Sequence, residues 1–328
     1  MRKILTLSRV AAVCALSVLT VACGSDDSTS DNTDNADAAD TTTAADTSSN
    51  GELPTIVVTT NILGDIVTQA VGDLAEVEVV MPVGADPHDF APSARQAESM
   101  ENADLLVTNG AGFEEGMREV IEQVESSGTP VFSFADQVEL IEFSGEEHSE
   151  GDPHIWNDPS RMITAVDAFG VEFASLGGVD AAAVEAQVQS YVDELTALDA
   201  EMEDTLSTIP AEQRVLVTNH VVFGYFADRF SFEVVGAVIP SSTTNAEPST
   251  AEVEALVALI EQEQIPAIFA DTSSPTRLAG AIASSASGDV QVVALYSESL
   301  GEPGSGADSY LTMMATNATL IADALIPA

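Results

Sequence analysis

Four histidines occur in 328 residues, and two of them close the same tripeptide, Asp86-Pro87-His88 and Asp152-Pro153-His154. Proline fixes φ, so each imidazole would sit on a stiff turn. A third, His220, ends Val217-Thr218-Asn219-His220, and a carboxylate, Glu298, stands in Tyr296-Ser297-Glu298-Ser299-Leu300-Gly301. A single His is more often a satisfied, half-buried residue than a ligand. Three at equivalent places in a fold reverse that preference, because imidazole is the commonest metal ligand. Three imidazoles and a carboxylate suit a borderline divalent ion such as Zn²⁺ in tetrahedral geometry. These residues are far apart in sequence, unlike a zinc finger, so the fold must bring them together.

The pattern from Thr55 onward alternates strand and helix. Strands are expected at 55–60, 77–82, 104–109 and 130–134, with helices at 61–71 (capped by Asn61), 93–102, 113–124 and 159–176. Val184, Val188, Tyr191, Leu195, Leu198, Met202 and Leu206 are spaced by three and four. They predict one amphipathic helix over 181–206, roughly 38 Å long at 1.5 Å per residue. A second set follows, with strands at 214–219, 232–239, 267–271 and 290–296. Its helices are expected at 221–229, 249–264 (with a Ser249/Glu252 capping box), 275–285 and 310–325. The fold class is α/β: two lobes, each a parallel sheet flanked by helices, joined by one long rigid helix. The strands read as short apolar runs, as in sheets covered on both faces. His88 then follows the second strand, His154 precedes the helix leaving the first lobe, His220 ends the first strand of the second lobe, and Glu298 follows the last strand. Such ends face the cleft where α/β lobes bind ligands.

Arg2, Lys3 and Arg9 precede the apolar run Val10 to Val21, which reads as an export leader over 1–22. It ends in Leu19-Thr20-Val21-Ala22-Cys23-Gly24, which resembles a bacterial lipobox, with Thr20 where Leu is usual; Cys23 is the expected lipidation site. Residues 23–52 are rich in Asp, Ser, Thr and Ala and predict a disordered acidic tether. The remaining boundaries are 53–178 for the first lobe, 179–210 for the connecting helix and 211–328 for the second lobe. Of two Cys, Cys14 lies in the leader, so no intramolecular disulfide is expected in the mature chain. With the leader gone, six Arg and no Lys face 54 carboxylates. That charge excludes nucleic acid and anionic surfaces as partners and reads mainly as a solvated, salt-adapted face. Stability should rise with salt, read as a higher Tm at molar than at low salt.

Several stretches together resemble the zinc/manganese substrate-binding lipoproteins of bacterial ABC importers. They are Asp86-Pro87-His88, Asp152-Pro153-His154-Ile155-Trp156-Asn157-Asp158-Pro159, Thr218-Asn219-His220 before Phe223-Gly224-Tyr225-Phe226, Ala246-Glu247-Pro248-Ser249, and the segment around Glu298. The likeness spans roughly 53–327. It implies two α/β lobes on a rigid helix, with metal ligands at His88, His154, His220 and the acidic residue of the last motif. Asp86 and Pro87 would aim the ring of His88. Asn157 replaces a usual apolar residue, a change expected to affect packing only. Glu298 replaces a usual Asp, and Asp271, also at a strand end, is the substitute carboxylate. Some manganese-selective relatives carry Glu at the third ligand. His220 adds a nitrogen and removes a charge, which favours Zn²⁺ over Mn²⁺. The loop 138–152 is short and acidic, and His148 within it is at most an accessory ligand.

The resemblance implies a lipid-anchored, monomeric receptor on the extracytoplasmic face of the cell membrane. It would pass zinc to a membrane permease driven by an ATPase. Alternatives are a manganese receptor of the same type or a surface lipoprotein for cell adhesion. A zinc hydrolase would need an open coordination position and a general base, and no HExxH is present, so an enzyme is not expected.

Overall fold

A computed structural model describes residues 53–142 and 151–326. The expected leader, Cys23, the tether and His148 lie outside these described residues. Four parallel strands, β1 (Thr55–Val58), β2 (Glu76–Val79), β3 (Leu105–Thr108) and β4 (Val131–Ser133), form the first sheet in the order β2-β1-β3-β4. They alternate with α1 (Asn61–Val71), α2 (Ala94–Glu101) and α3 (Arg118–Ser127), and α4 (Pro159–Ser175) closes the lobe. The long helix α5 (Ala181–Ser207) follows. The second sheet repeats the plan with β5 (Val215–Thr218), β6 (Glu233–Ala237), β7 (Ala267–Asp271) and β8 (Gln291–Leu295) in the order β6-β5-β7-β8. Its helices are α6 (Gly224–Phe230), α7 (Thr250–Glu263), α8 (Arg277–Ser285) and α9 (Tyr310–Leu325). In each sheet the chain runs outward from the first strand on one side and then on the other. That reversal opens a crevice at the carboxyl ends of the strands.

Burial separates the strands by position. β1 is buried apart from half-buried Thr55, and β3 and β7 are wholly buried, as expected for strands covered on both faces. The edge strands differ: β2 is mostly exposed and carries Glu76 and Glu78, and β8 is exposed over much of its length. Charge on an open edge discourages pairing with another chain.

All seven apolar residues of the α5 stripe are buried. They pack in one continuous core with residues from β1 and α4 of the first lobe and from β5, β7 and α9 of the second. Each such side chain contributes roughly 1.5–3 kcal/mol when fully buried, so α5 is held along both lobes.

Local capping departs from expectation at one place that matters. The N-cap of α1 is Thr60, whose hydroxyl accepts from Leu63 N, and not Asn61. Asn61 is thereby free to donate to Pro82 O at 3.1 Å and accept from Leu300 N of the second lobe at 2.8 Å. The Ser249/Glu252 capping box of α7 forms as predicted.

Candidate metal centre

The two Asp-Pro-His turns fold alike in the backbone. Asp86 accepts from His88 N at 3.0 Å, and Asp152 accepts from His154 N at 3.0 Å. This is the Asx-turn expected of Asp two residues before a bonded N–H. The rings then diverge. His154 Nδ1–H donates to the same Asp152 oxygen at 2.7 Å, whereas His88 Nδ1–H donates to Glu115 at 3.2 Å. A Cβ on Gly224 would lie 2.6 Å from Asp152 Oδ2, so only glycine lets α6 start against this carboxylate.

His220 sits on a tight turn after β5. Thr218 Oγ1 donates to its carbonyl at 2.6 Å, and Val222 N does so at 3.0 Å. This turn delays α6, which begins at Gly224 and not near Val221 as the sequence suggested. Glu298 follows β8 on a segment anchored by Asp271. One Asp271 oxygen accepts from Ser297 N at 3.2 Å and from its hydroxyl, and the other accepts from Ser273 N at 2.6 Å and from its hydroxyl. Asp271 thus positions the carboxylate-bearing turn, and Glu298 is the residue brought among the rings.

The four residues converge. Ligand atoms of His88, His154, His220 and Glu298 lie within 4.8 Å of one another, and all four residues are buried. Glu298 Oε1 is 3.0 Å from His88 Nε2, 3.1 Å from His220 Nε2 and 3.6 Å from His154 Nε2. The extra methylene of Glu does not carry its carboxylate past the cluster. His154 Nε2 and Glu298 Oε2 are buried without a hydrogen-bond partner among the described residues. Buried polar atoms left unpaired are costly, and atoms of these types facing one point are the donor set of a divalent cation.

The electrostatics agree with this. Burial pushes the Glu298 carboxyl up, but the pull of His220, His88 and the nearby His154 ring, together with the bond from His220, outweighs it and holds it well below the usual range. Burial lowers His88, but the Glu298 charge and the Glu115 and Glu298 bonds lift it to about 10. His154 is also raised: Asp152 and Glu298 outweigh its burial. Without a metal, the site therefore holds protons that a cation has to displace. Asp271 is raised, first by burial and then by the charge of Glu298.

Sequence reasoning missed the wall contributed by residues 110–115. Gly110, Ala111 and Gly112 are all left-handed, at φ 83°, 50° and 73°. This turn presents Phe113 edge-on to His88 and His154, with ring centroids 5.1 and 5.8 Å away. Glu114 is buried and accepts from Thr59 Oγ1, Asn109 N and Gly110 N, tying together the ends of β1 and β3. Glu115 reaches His88. The expected helix over 113–124 instead begins at Arg118. The glycines at 110, 112 and 116 were the available signal, since they mark a turn and not a helix start.

Asn157 also exceeds its expected role. It is buried, and its amide donates to Val222 O at 3.1 Å, a bond between the lobes and not packing alone.

A family model described as "Zinc-uptake complex component A periplasmic" matches residues 56–324. The "Zinc-binding protein TroA" of Treponema pallidum (strain Nichols) is 31% identical over 284 residues, covering 85% of this chain and 91% of that protein. The "Manganese-binding lipoprotein MntA" of Halalkalibacterium halodurans is 24% identical over 306 residues, covering 93% of this chain and 94% of that protein. Among solved structures, the periplasmic zinc binding protein TroA from Treponema pallidum superposes with a TM-score of 0.78 at 29% identity, covering 84% of this chain and all of that one. A family match of this extent, over a fold with the same two sheets, makes the chain a member of the family of metal-binding substrate receptors of ABC importers, which are not enzymes.

Proposed function

We propose that the protein captures Zn²⁺ between its two lobes, with His88, His154, His220 and Glu298 as the four ligands, and presents it to a permease driven by an ATPase. One observation carries this reading: three buried imidazole Nε2 atoms face a single carboxylate oxygen, with ligand atoms from both lobes within 4.8 Å. A three-nitrogen, one-oxygen set favours Zn²⁺ over the harder, more oxygen-seeking Mn²⁺. A manganese receptor is the second reading, since MntA is named for manganese. The lobes at 53–178 and 211–328 act as jaws on the 179–210 connector. Cys23 anchors the monomeric receptor to the outer face of the membrane through the 23–52 tether.

The test is metal analysis of protein purified without added metal, followed by Zn²⁺/Mn²⁺ competition. One tightly held equivalent of zinc that excess manganese does not displace is expected. His88→Ala and His154→Ala should each abolish high-affinity uptake; unchanged affinity in either variant would sink the ligand assignment.

A further inference from the structure

The loop from Pro240 to Ser249 brings no ligand to the centre, yet it touches the groups that hold His88. Asp86 uses one oxygen for His88 N and the other, at 2.7 Å, for Thr244 Oγ1. Asn245 Nδ2 donates to His88 O at 3.1 Å. It also lies 3.4 Å from Glu115 Oε2, while Glu115 Oε1 accepts from His88 Nδ1. The backbone N–H, the carbonyl and the ring of His88 are therefore each linked, directly or through one carboxylate, to Thr244 or Asn245. At its other end the loop is tied beside His220: Val221 N donates to Ser241 O at 2.9 Å, and Ile239 N donates to Asn219 O at 2.8 Å. It spans from the turn of a second-lobe ligand to the turn of a first-lobe ligand. Thr244 is half-buried and Asn245 exposed, so these contacts can exchange with water without opening the core.

From this we infer that Thr244 and Asn245 form a latch that sets how fast the bound ion leaves; the inference rests on the metal-receptor reading above. Both are positioning residues. When they dock, Asp86 and Glu115 are held and His88 points at the ion. When they part, His88 loses the bond to its carbonyl, and Asp86 and Glu115 each lose a partner that holds them. In the metal-free protein the loop exchanges between docked and undocked forms and the ion enters the undocked one, so the latch acts on release and little on association.

The experiment compares wild type with Thr244→Val/Asn245→Ala, each loaded with whichever of Zn²⁺ or Mn²⁺ the wild type retains and mixed with excess chelator in stopped flow. The three lost hydrogen bonds, all exposed or part-buried, should accelerate release about tenfold, with the association rate within about twofold of wild type. Thr244→Ser, which keeps the hydroxyl, should release within about threefold of wild type. In metal-free protein, the double variant should also raise amide exchange over residues 86–90, with an unchanged Tm. Release accelerated less than about threefold, equal acceleration by Thr244→Ser, or unchanged exchange overturns the latch. Failure of the wild type to retain either metal overturns the receptor reading instead, and the exchange measurement then still decides on the latch.

Discussion

Two of the seams along which the lobes meet differ in character. One runs through Trp156 and its neighbours and is buried. Trp156 Nε1 donates to Ser297 O at 2.9 Å, Tyr310 OH donates to Trp156 O at 2.7 Å, and Tyr225 OH donates to Asp152 O at 2.6 Å. The other is the Thr244–Asn245 contact with Asp86, His88 and Glu115, part-buried to exposed. Breaking a buried bond strands a desolvated donor or acceptor at about 1–3 kcal/mol each, whereas water replaces a partner lost at the surface. The difference fits the latch proposed above: under that proposal the buried Trp156 side is the pivot that stays intact when the Thr244 side loosens. The two Asp-Pro-His turns divide the same way. His154 on the buried side has both its backbone N–H and its ring held by one carboxylate of its own turn. His88 on the open side shares its restraints among Asp86, Glu115 and the other lobe.

The contrast breaks first at Trp156. Trp156→Ala should destabilise the protein by about 3–5 kcal/mol, read from the urea midpoint, because it leaves a cavity against Phe113 and strands Ser297 O. The Thr244→Val/Asn245→Ala pair should leave that midpoint nearly unchanged. Comparable losses from both would erase the distinction between pivot and latch.

Next in size is the pair of aspartates. Asp152→Asn removes the charge from the only carboxylate bonded to His154 Nδ1 among the described residues, and metal affinity should fall about 10–100-fold. Asp86→Asn should lower it less, because Glu115 still orients the His88 ring. Equilibrium titration of both variants against a competing chelator measures the ranking, and equal losses would refute it.

How much of this was legible in the sequence follows the same division. The α5 stripe, the β1–β8 alternation and the four converging residues could be read because period, caps and strand ends are local signals. The asymmetry between His88 and His154 could not, since the two tripeptides are identical and the difference lies in Glu115, 27 residues away. Phe113 and Glu115 were hidden inside an apparent helix, where a left-handed Gly-Ala-Gly turn overrode the local propensity of the residues after it. Asn157 looked like a packing change because its acceptor, Val222 O, is 65 residues away. Residues whose roles depend on a partner distant in sequence escape a reading built on periodicity.

Acidity should separate the metal-free and metal-loaded states. His88 is raised to about 10, against about 6.5 for an unfolded imidazole. Since its folded pKa is the higher, its contribution to metal-free stability is complete below about 6.5 and is lost as pH rises toward 10. The metal requires the neutral ring, so affinity runs the other way and should climb about tenfold per pH unit between 7 and 9 for each proton displaced. Calorimetry in buffers of different ionisation enthalpy should count at least one proton released per ion at pH 7. Release of none would remove His88 from the set.

The smallest expected effect is the most specific. Glu115→Gln keeps an acceptor for His88 Nδ1 and an oxygen or amide near Asn245, but replaces the carboxylate hydrogen bond that helps to raise His88 with a neutral one. Two consequences oppose each other at neutral pH. The ring loses an anionic partner, which weakens its hold on the cation. Its pKa also falls, which lessens proton competition. Affinity at pH 7 should therefore drop only about two- to threefold, while at pH 9, where less of the proton competition remains to be relieved, the loss should be larger and the pH slope shallower than in wild type. Affinity profiles of the two proteins that stay parallel across this range would mean that Glu115 acts on the geometry of His88 and not on its proton.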